Sequence, residues 1–194
     1  MLQSRYLNET DLLNFGFKFL GKNIKISSDA RIYGAENIEI HDNVRIDDFV
    51  ILSAVTGKII LNNYVFIARN CHLSGNLGII MNDFSSMAAN TVIYSASDDY
   101  SGKFMTAQSI PKEFTKLSGG IVEIGRHVII GSGCTILGKT NIKEGCSIGA
   151  MSLVKGDTEE WGIYSGIPVK RIKERSKELL KLEKELLKSR NYAE

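Results

Sequence analysis

The chain contains little proline, tryptophan, cysteine or histidine. Its 194 residues include two prolines, one tryptophan, three cysteines and three histidines. With so little proline and no low-complexity segment there is no candidate for an interdomain linker, so a single domain is expected. The net charge of +2 at pH 7 argues against a strongly charged partner such as nucleic acid.

Long hydrophobic runs are also missing. No stretch of the chain approaches the ~20 apolar residues that a transmembrane helix needs. The first residues, 1–11, are too polar for a secretory signal peptide. We therefore expect a cytoplasmic protein without a membrane span.

What the chain has instead is an aliphatic residue at every sixth position over long stretches. The fifth position of each six-residue unit is small or β-branched, except at Glu36 and Leu77. Apolar residues at positions 1 and 5, with polar residues or glycine at 3 and 4, fit neither an amphipathic helix nor simple strand alternation. The aliphatic first positions are Ile26, Ile32, Ile40, Ile46, Leu52, Leu61, Ile67, Leu73, Met81, Met87, Ile93, Ile124, Ile130, Ile136, Ile142 and Ile148.

This period predicts an all-β solenoid, the left-handed parallel β-helix, in which three short strands and three corners close each triangular coil. First-position side chains point into the prism, and residues such as Asp42 and Asn43 turn the backbone at the corners. Coils stack at a spacing of about 4.8 Å, so corner residues of successive coils form vertical ladders. Because all three cysteines occupy fifth positions, we expect core packing rather than disulfides or metal ligation; they are Cys71, Cys134 and Cys146.

Breaks in the rhythm divide the chain into three parts. Residues 1–23 are predicted to form an N-terminal cap, with Asn8 as the N-cap of a short helix. Residues 24–172 form the β-helix, interrupted over 99–123 by a loop where the period is lost. A long excursion from a tightly wound solenoid points to a function for that loop. Residues 173–194 are predicted to form an amphipathic C-terminal helix.

One corner of the predicted prism, here called the second corner, stands out. Its lower coils are polar, whereas its upper coils carry mostly small side chains that expose backbone amides along a groove. A thin, amide-bearing chain is expected to lie there with its reactive end near Asn70. The ladder consists of Asp48 and Phe49, Arg69 and Asn70, Ala89 and Asn90, Ser132 and Gly133, and Ala150 and Met151.

Several stretches of the chain resemble the hexapeptide-repeat acyltransferases, in the branch of maltose, galactoside and virginiamycin acetyltransferases and surface-polysaccharide sugar acetyltransferases. The resemblance covers about 24–175 and combines the repeat, the long loop and a closing Gly-Ile-Pro-Val-Lys segment. It implies a homotrimer that transfers acetyl from acetyl-coenzyme A, with active sites between neighbouring prisms and the loop helping to wall them. The stretches that carry it are 43–49, 69–71, 93–102, 124–133 and 164–172.

The resemblance implies roles for individual residues. Asn70 matches the family's acceptor-site asparagine, and Ser132, beside Gly131, matches a residue whose backbone amide faces the thioester carbonyl. Ala150 resembles the backbone contact to pantetheine. A prepositioned amide suits a tetrahedral oxyanion, and cationic side chains suit phosphates. The basic residues that resemble contacts to the adenosine phosphates are Lys170 and Arg171.

The chain departs from the family pattern at the catalytic base. Maltose-type sugar O-acetyltransferases carry a loop histidine where this chain has Asp98, followed by Asp99. One hypothesis is that His72, two residues from Asn70, acts as the general base. Another is that the Asp pair accepts the proton or holds the acceptor's ammonium and hydroxyls, and a third assigns the role to His127. The structural alternatives are an exposed histidine, loop capping and a turn role, respectively.

The missing loop histidine favours an amine acceptor. A hydroxyl needs a strong positioned base, whereas a sugar amine sheds a proton that a carboxylate or water accepts. Asp47 and Asp48 are candidates for binding a cationic or polyhydroxyl acceptor, with a salt bridge from Asp48 to Arg69 as the structural alternative. The leading interpretation is acetyl transfer to an amino group of a nucleotide-linked deoxyamino sugar for surface polysaccharide. O-acetylation of a polysaccharide or its precursor is the alternative.

Two other classes of protein use a similar solenoid. A γ-type carbonic anhydrase needs three histidines that converge on zinc, but His41, His72 and His127 occupy different positions on different corners, so no metal site is expected. A non-catalytic binding solenoid would need a flat, repetitive outer face and no long loop. The outer face predicted here is irregular, which favours an enzyme.

Overall fold

The protein is a left-handed parallel β-helix of about seven turns with a short helix at each end. The computed structural model describes residues 5–107 and 109–191. Three parallel sheets form the sides of the prism. The first sheet contains β1 (Phe19–Leu20), β4 (Ile38–Ile40), β7 (Ile59–Leu61), β10 (Ile79–Met81), β15 (Val122–Ile124) and β18 (Thr140–Ile142).

The other two sides continue the same winding, since strands of successive coils pair in parallel. The second sheet contains β2 (Lys25–Ile26), β5 (Arg45–Ile46), β8 (Phe66–Ile67), β11 (Ser86–Met87), β16 (Ile129–Ile130), β19 (Ser147–Ile148), β21 (Gly162–Gly166) and β22 (Val169–Glu174). The third sheet contains β3 (Arg31–Tyr33), β6 (Ile51–Ser53), β9 (His72–Ser74), β12 (Val92–Tyr94), β17 (Thr135–Leu137) and β20 (Leu153–Val154).

The predicted register is confirmed by the strand pairing. In the first sheet Ile40 pairs with Leu61, which pairs with Met81. In the second sheet Met87 pairs with Ile130, which pairs with Ile148. All first-position side chains are buried except that of Ile32, which lies in β3, the edge strand of the third sheet.

The cysteines pack in the core, as predicted. Cys71, Cys134 and Cys146 are unpaired and buried. Burial raises the pKa of the Cys71 thiol to about 11, because the thiolate is disfavoured away from water. A thiol in that environment is unreactive at neutral pH, so these residues serve packing.

Both ends of the prism are covered. Helix α1 (Glu9–Asn14) begins at Asn8, whose side chain accepts a hydrogen bond from the Asp11 amide, so the predicted N-cap is confirmed. Leu12 is the residue of α1 that is buried against the core. At the other end, β22 turns back antiparallel to β21 and covers the last coil.

Helix α2 (Leu179–Asn191) begins later than the apolar stripe of the sequence suggests. Lys173 and Glu174 belong to β22, because Lys173 pairs with Ile163 and Glu174 with Gly162 across the antiparallel hairpin. Arg175 then fastens the chain to the prism, donating hydrogen bonds from Nη1 to three corner carbonyls. The acceptors are the carbonyl oxygens of His127, Gly145 and Cys146.

The excursion leaves the prism after β12 and returns at β15. Its stem is an antiparallel pair, β13 (Ala96–Ser97) and β14 (Ser118–Gly119). Beyond the stem the segment is mostly irregular, with one 3₁₀ turn at Lys112–Phe114. Val122 and Glu123 already pair in the first sheet, so the period resumes two residues before Ile124.

Candidate acyl-transfer site

The second corner is a regular backbone ladder. The residue at the fourth position of each unit takes a left-handed conformation, and its amide donates to the third-position carbonyl of the coil below. Asn70 thus donates to Asp48, and Asn90 to Arg69. These bonds stack the predicted ladder residues one above another, so the corner assignment made from the sequence is confirmed. The residues in the left-handed conformation are Phe49, Asn70, Asn90, Gly133 and Met151.

The third-position amides of the lower coils distinguish this corner from the first one. On the first corner, side chains of the coil above accept hydrogen bonds from these amides: the Asp42 carboxylate caps the Lys22 amide at 2.7 Å, and the Asp83 carboxylate caps the Asn63 amide at 2.8 Å. Higher on the first corner, no hydrogen bond among the described residues uses the amides of Asp83, Arg126 and Glu144. On the second corner, no hydrogen bond among the described residues uses the equivalent amides. They belong to Arg69, Ala89, Ser132 and Ala150.

This difference follows from the residue types. Aspartate and asparagine side chains reach back to an amide of the preceding coil, whereas alanine has no acceptor to offer. Ser132 and Ala150 are exposed, and their amides make no hydrogen bond among the described residues. From Asn70 to Ala150 the ladder spans three coil spacings of about 4.8 Å each. The surface is therefore a row of donors suited to an extended chain that carries carbonyl groups.

Gly131 has a packing role in this ladder. A Cβ at this position would lie 2.5 Å from the Ala150 nitrogen, and the Gly131 amide itself donates to Ile148 at 2.8 Å. Only glycine allows the two coils to approach this closely. Gly131 thus positions the backbone of Ala150, and its own amide is already used.

At the polar end of the groove, Asn70 and His72 lie on the same side of the prism, with the buried Cys71 between them. Asn70 is exposed at the corner, and His72 begins β9 on the outer face of the third sheet. The pairing register places His72 between Ile51 and Val92 of the adjacent strands. The structure therefore brings Asn70 and His72 together.

The surroundings of His72 favour the neutral imidazole. Partial burial lowers its pKa, because the charged form is poorly solvated. The edge of the ring meets Tyr94, with 5.8 Å between ring centroids. Sequence analysis did not identify Tyr94 as a neighbour of His72; the third-sheet register, in which residues 72 and 92 pair, was the signal that would have found it. A histidine that is neutral at physiological pH is competent to accept a proton.

Asp47 and Asp48 lie one coil below Asn70 and already have partners. Arg45 binds the Asp47 carboxylate at 2.7 Å between Nε and Oδ1. The Asp48 carboxylate accepts a hydrogen bond from the buried Ser27 hydroxyl. Both carboxylates thus help to hold the lower coils together, in addition to any contact with an acceptor.

Asp98 and Asp99 do not lie beside Asn70 of the same chain. They follow the stem strand β13, which leaves from the third corner, so the width of the third sheet separates them from Asn70. The Asp99 carboxylate caps the turn that follows it, accepting hydrogen bonds from the Ser101 hydroxyl and the Lys103 amide. These hydrogen bonds, of which the one from Ser101 has the largest effect, stabilise the charged carboxylate and so lower the pKa of Asp99. Within the described residues, the Asp98 side chain makes no hydrogen bond or ion pair.

His127 lies on the first corner, away from Asn70. Its backbone is left-handed, and its ring stacks on Phe84 with 5.0 Å between centroids. Helix α2 covers it, because the buried Glu183 lies 3.1 Å from His127 Nε2 and also binds Arg126. This three-residue contact, absent from the sequence-based picture, anchors α2 to the prism.

The hairpin at the upper end of the groove carries the two predicted basic residues. Lys170 pairs with Ser165, which packs over Gly149, the neighbour of Ala150. Lys170 is exposed and has no ion pair among the described residues. Two carboxylates instead bind the guanidinium of Arg171, Glu174 with a nitrogen–oxygen distance of 2.6 Å and Glu159 with one of 3.7 Å. The hydrogen bond to Glu174 raises the Arg171 pKa.

Among the described residues, no group of three His, Cys, Asp or Glu side chains is arranged to hold a metal ion. No helix in the described ranges is long and apolar enough to cross a membrane.

The chain is similar to known acyltransferases over nearly its whole length. It is 44% identical, over 178 residues, to the dTDP-4-amino-4,6-dideoxy-D-glucose acyltransferase of Escherichia coli, covering 92% of this chain and 93% of that protein. The chain belongs to the hexapeptide-repeat acyltransferases. No family model matches this chain.

Two other acyltransferases agree with this placement. The crystal structure of AntD, an N-acyltransferase from Bacillus cereus, in complex with dTDP and 3-hydroxybutyryl-CoA, superimposes with a TM-score of 0.92 at 40% identity, covering 97% of this chain and 100% of that chain. The putative lipopolysaccharide biosynthesis O-acetyl transferase WbbJ of Escherichia coli K12 is 27% identical over 168 residues, covering 87% of this chain and 74% of WbbJ. The chain is thus an acyltransferase by family.

Proposed function

We propose that the protein transfers an acetyl group from acetyl-coenzyme A to the amino group of a nucleotide-linked deoxyamino sugar. The observation that carries the proposal is the row of uncapped amides on the second corner, which ends at Asn70 and His72. The similarity to a dTDP-4-amino-4,6-dideoxy-D-glucose acyltransferase supports this class of acceptor. A variant of AntD in complex with that amino sugar and coenzyme A supports it further.

The proposed reaction needs three contributions from the chain. The neutral sugar amine attacks the thioester carbonyl, and the Ser132 amide donates to the oxygen as it becomes negatively charged. His72 accepts the proton that the amine loses, with Asn70 holding the acceptor. Collapse of the tetrahedral intermediate breaks the C–S bond, and the thiolate leaves and takes up a proton. The products are the amide and coenzyme A.

The coenzyme is proposed to extend up the second corner from Ser132 towards the β21–β22 hairpin. The Ala150 amide would donate to the pantetheine arm. The adenosine phosphates would lie near Lys170, whose ammonium is unpaired among the described residues, with Arg171 contributing less because Glu174 and Glu159 already bind it. The two carboxylates reduce the net positive charge that Arg171 presents to a phosphate.

The acceptor end is proposed to include the acidic residues predicted from the sequence. Asp48 and Asp98 are the candidates for contacting the acceptor, while Asp47 and Asp99 hold the surrounding backbone and side chains. The Asp98 carboxylate has no partner among the described residues and is the better match for an ammonium group.

A test of the groove uses two neighbouring ladder positions. Ala150→Trp should abolish coenzyme A binding measured by titration calorimetry, because the indole would fill the groove. Ser132→Ala should have a mild effect, since Ser132 acts through its backbone. Normal coenzyme A binding by the Ala150→Trp variant would show that the groove is misplaced.

O-acylation is the second candidate, favoured by the similarity to WbbJ. An O-acyltransferase requires a base strong enough to activate a hydroxyl, and the loop here has aspartate where maltose-type enzymes have histidine. That substitution, with the higher identity to the amino-sugar enzyme, places N-acylation first.

A homotrimer is proposed as the active assembly. Exposed apolar residues are found both beside the groove and on the excursion: Met151 is 70% exposed, Phe49 60% and Tyr100 93%. Exposure on this scale suits burial against another copy of the chain. The excursion of one copy would then bring Asp98 to the second corner of its neighbour, which explains why the two are separated within one chain.

The proposed setting is surface-polysaccharide biosynthesis in the cytoplasm. Nucleotide sugars and acyl-coenzyme A are the co-substrates that this reaction requires, and both are held in that compartment. The name of WbbJ supports a link to lipopolysaccharide biosynthesis. Deletion of the gene should remove the N-acyl group from the surface polysaccharide, as measured by mass spectrometry of the released glycan.

A further inference from the structure

The inner side of the second corner carries a row of buried hydrogen-bond donors. Fifth-position side chains pack inside the prism, and from the coil of Asn70 upward each one on this corner ends in a thiol or a hydroxyl group. The two coils below have Ala30 and Val50 at that position, which offer no side-chain donor. The row of donors therefore begins at the same coil as the proposed groove, and it consists of Cys71, Thr91, Cys134 and Ser152.

Thr91 holds the turn that carries Ser132. Its buried hydroxyl donates to the Gly131 carbonyl of the coil above at 2.9 Å and accepts a hydrogen bond from the Cys134 amide at 3.3 Å. The Gly131 carbonyl and the Ser132 amide belong to one peptide group, and in a trans peptide the C=O and N–H bonds point in opposite directions. Because the carbonyl points into the prism towards Thr91, the Ser132 amide points out into the groove.

Two thiols make the corresponding contacts in the neighbouring coils. Cys71 Sγ donates to the Ala88 carbonyl at 3.2 Å, and Cys134 Sγ donates to the Gly149 carbonyl at 3.1 Å. The Gly149 carbonyl also accepts a hydrogen bond from the Ser152 hydroxyl at 2.7 Å. Burial raises the pKa of both thiols, so each keeps the proton that it donates. The groove amides that belong to these two peptide groups are those of Ala89 and Ala150.

The inner side of the first corner differs. Two of its fifth positions in the same coils are valines, and the buried hydroxyl of Ser85 makes no hydrogen bond among the described residues. The carbonyls of that corner accept instead from a backbone amide of their own turn, as Gly125 does from Val128 at 3.3 Å. Cys146 donates to the Glu159 carbonyl at 3.0 Å in the last coil, so the contact occurs once on the first corner but in three successive coils on the second.

We propose that Cys71, Thr91 and Cys134 are positioning residues that orient and polarise the groove amides from inside the prism. A peptide group whose carbonyl accepts a hydrogen bond donates more strongly through its amide, because the two bonds polarise each other. Thr91 thus strengthens the Ser132 amide that faces the developing oxyanion. Cys134 strengthens the Ala150 amide that binds pantetheine. This inference rests on the proposed function, since it names the side chains that support the donor groove.

Steady-state kinetics of a Thr91→Val variant test the support of Ser132. The change removes the hydroxyl and keeps a β-branched side chain of similar size. The kcat for acetyl transfer should fall about tenfold, less than the roughly 10²–10³ that loss of a whole oxyanion donor costs. The KM for acetyl-coenzyme A should change little, because the support matters most when charge develops in the transition state. Thr91→Ser, which retains the donor, should recover most of the activity.

Ser85→Ala is the matched control. It removes a buried hydroxyl from the same coil as Thr91, at a fifth position that has no hydrogen-bond partner among the described residues. Its kcat should equal that of the wild type. Thermal unfolding shows whether each variant is folded at the assay temperature. A loss in Thr91→Val that Thr91→Ser does not recover would contradict the role of the hydroxyl.

The S–H stretching bands in the infrared spectrum test the same support in the wild-type protein. Binding of acetyl-coenzyme A, which has no thiol of its own, should lower the stretching frequency of Cys134. A hydrogen bond from the Ala150 amide to the ligand makes the Gly149 carbonyl a stronger acceptor. The band of Cys146, on the first corner, should not move. Cys134→Ala and Cys146→Ala assign the bands, and an unmoved Cys134 band in the bound protein would contradict the inference.

The outcomes separate this inference from the proposed function. Wild-type protein that acetylates the amino sugar, with a folded Thr91→Val variant of equal kcat, would overturn the support from Thr91 and leave the proposed function intact. A Cys134 band that shifts in a protein that does not acetylate the amino sugar would overturn the proposed acceptor and leave the inference intact. Wild-type protein that binds no acetyl-coenzyme A would overturn both.

Discussion

At the scale of single residues, the site depends on what is missing from the second corner. On the first corner Asp42 and Asp83 cap the amides of Lys22 and Asn63 in the coil below, whereas Ala89 and Ala150 offer no acceptor and leave the amides of Arg69 and Ser132 uncapped. A short side chain that accepts hydrogen bonds, placed on this ladder, should bind the amide of the coil below. It would block coenzyme A from that amide without filling the groove. Function here comes from backbone groups that small residues leave accessible.

The proposed role of His72 as the general base can be tested directly by mutation. His72→Ala should lower turnover by about 10²–10⁴, the scale of general-base loss, with coenzyme A affinity intact. His41→Ala, at a half-buried histidine on the first corner, is the control and should be near wild type. Steady-state kinetics decide, and unchanged turnover in the His72 variant would transfer the base role to Asp98.

The pH dependence follows from the same environment. Burial lowers the pKa of His72, so the neutral, base-competent form persists to lower pH than for an exposed histidine. The limb of the rate profile that belongs to His72 should lie at that lowered pKa, and the sugar amine, which must be neutral to attack, adds a second limb at higher pH. A low-pH limb that stays the same in the His72→Ala variant as in the wild type would contradict this account.

Lys170 and Arg171 should differ despite being neighbours. Lys170→Gln is expected to weaken coenzyme A binding by about tenfold. Arg171→Gln should weaken it less, because Glu174 and Glu159 already bind that guanidinium. Calorimetry with coenzyme A and with its 3′-dephospho form measures the contribution, and a larger loss in the arginine variant would reverse the assignment.

At the scale of elements, the strands alternate between core and surface with a strict register. Ile130→Asp, in β16, should cost several kcal/mol through a buried, unpaired charge. Ile129→Asp, at the exposed neighbouring position of the same strand, should cost much less. Thermal or denaturant unfolding compares the two, and equal stabilities would refute the register.

Helix α2 is held to the prism by a contact between charged residues. Glu183→Ala removes the shared partner of Arg126 and His127, and should release the helix at a cost of roughly 3 kcal/mol. Hydrogen exchange over 179–189 should then accelerate while the coils stay protected. Glu185→Ala, at an exposed position of the same helix, should leave exchange unchanged.

The sequence predicted the structure correctly where the six-residue repeat determines the course of the backbone. The six-residue repeat was sufficient to assign the corners, because one aliphatic side chain per strand must fill the prism. The prediction failed at the ends of the repeat: Lys173 and Glu174 pair in β22, and the contact of Glu183 with His127 depends on where α2 lies. The Glu183–His127 contact joins residues 56 positions apart, and neither it nor the hairpin pairing leaves a periodic signal in the sequence.

At the scale of the whole molecule, the regular spacing of the coils sets the distances between binding groups. Each coil advances by about 4.8 Å, so a substrate that lies along a corner contacts successive ladder residues at that interval. Coenzyme A and the acceptor would approach from opposite ends and meet at Asn70. The excursion emerges from a different corner, so an assembly of several copies is what would bring it to the site.

Mixing two inactive variants tests that assembly. His72→Ala and Asp98→Asn protomers, each weak alone, should regain activity when co-refolded, because some sites then combine an intact His72 with an intact Asp98 from a neighbour. Light scattering should give the mass of a trimer. A stable monomer with wild-type activity would rule the shared site out.

The central claim is transfer to nitrogen rather than oxygen. The most direct measurement compares kcat/KM for dTDP-4-amino-4,6-dideoxyglucose and for its analogue with a hydroxyl at the same carbon, each with acetyl-coenzyme A. The account predicts that the amine is strongly preferred and yields an amide that resists mild base. Preference for the hydroxyl analogue, with a base-labile ester as the product, would contradict it.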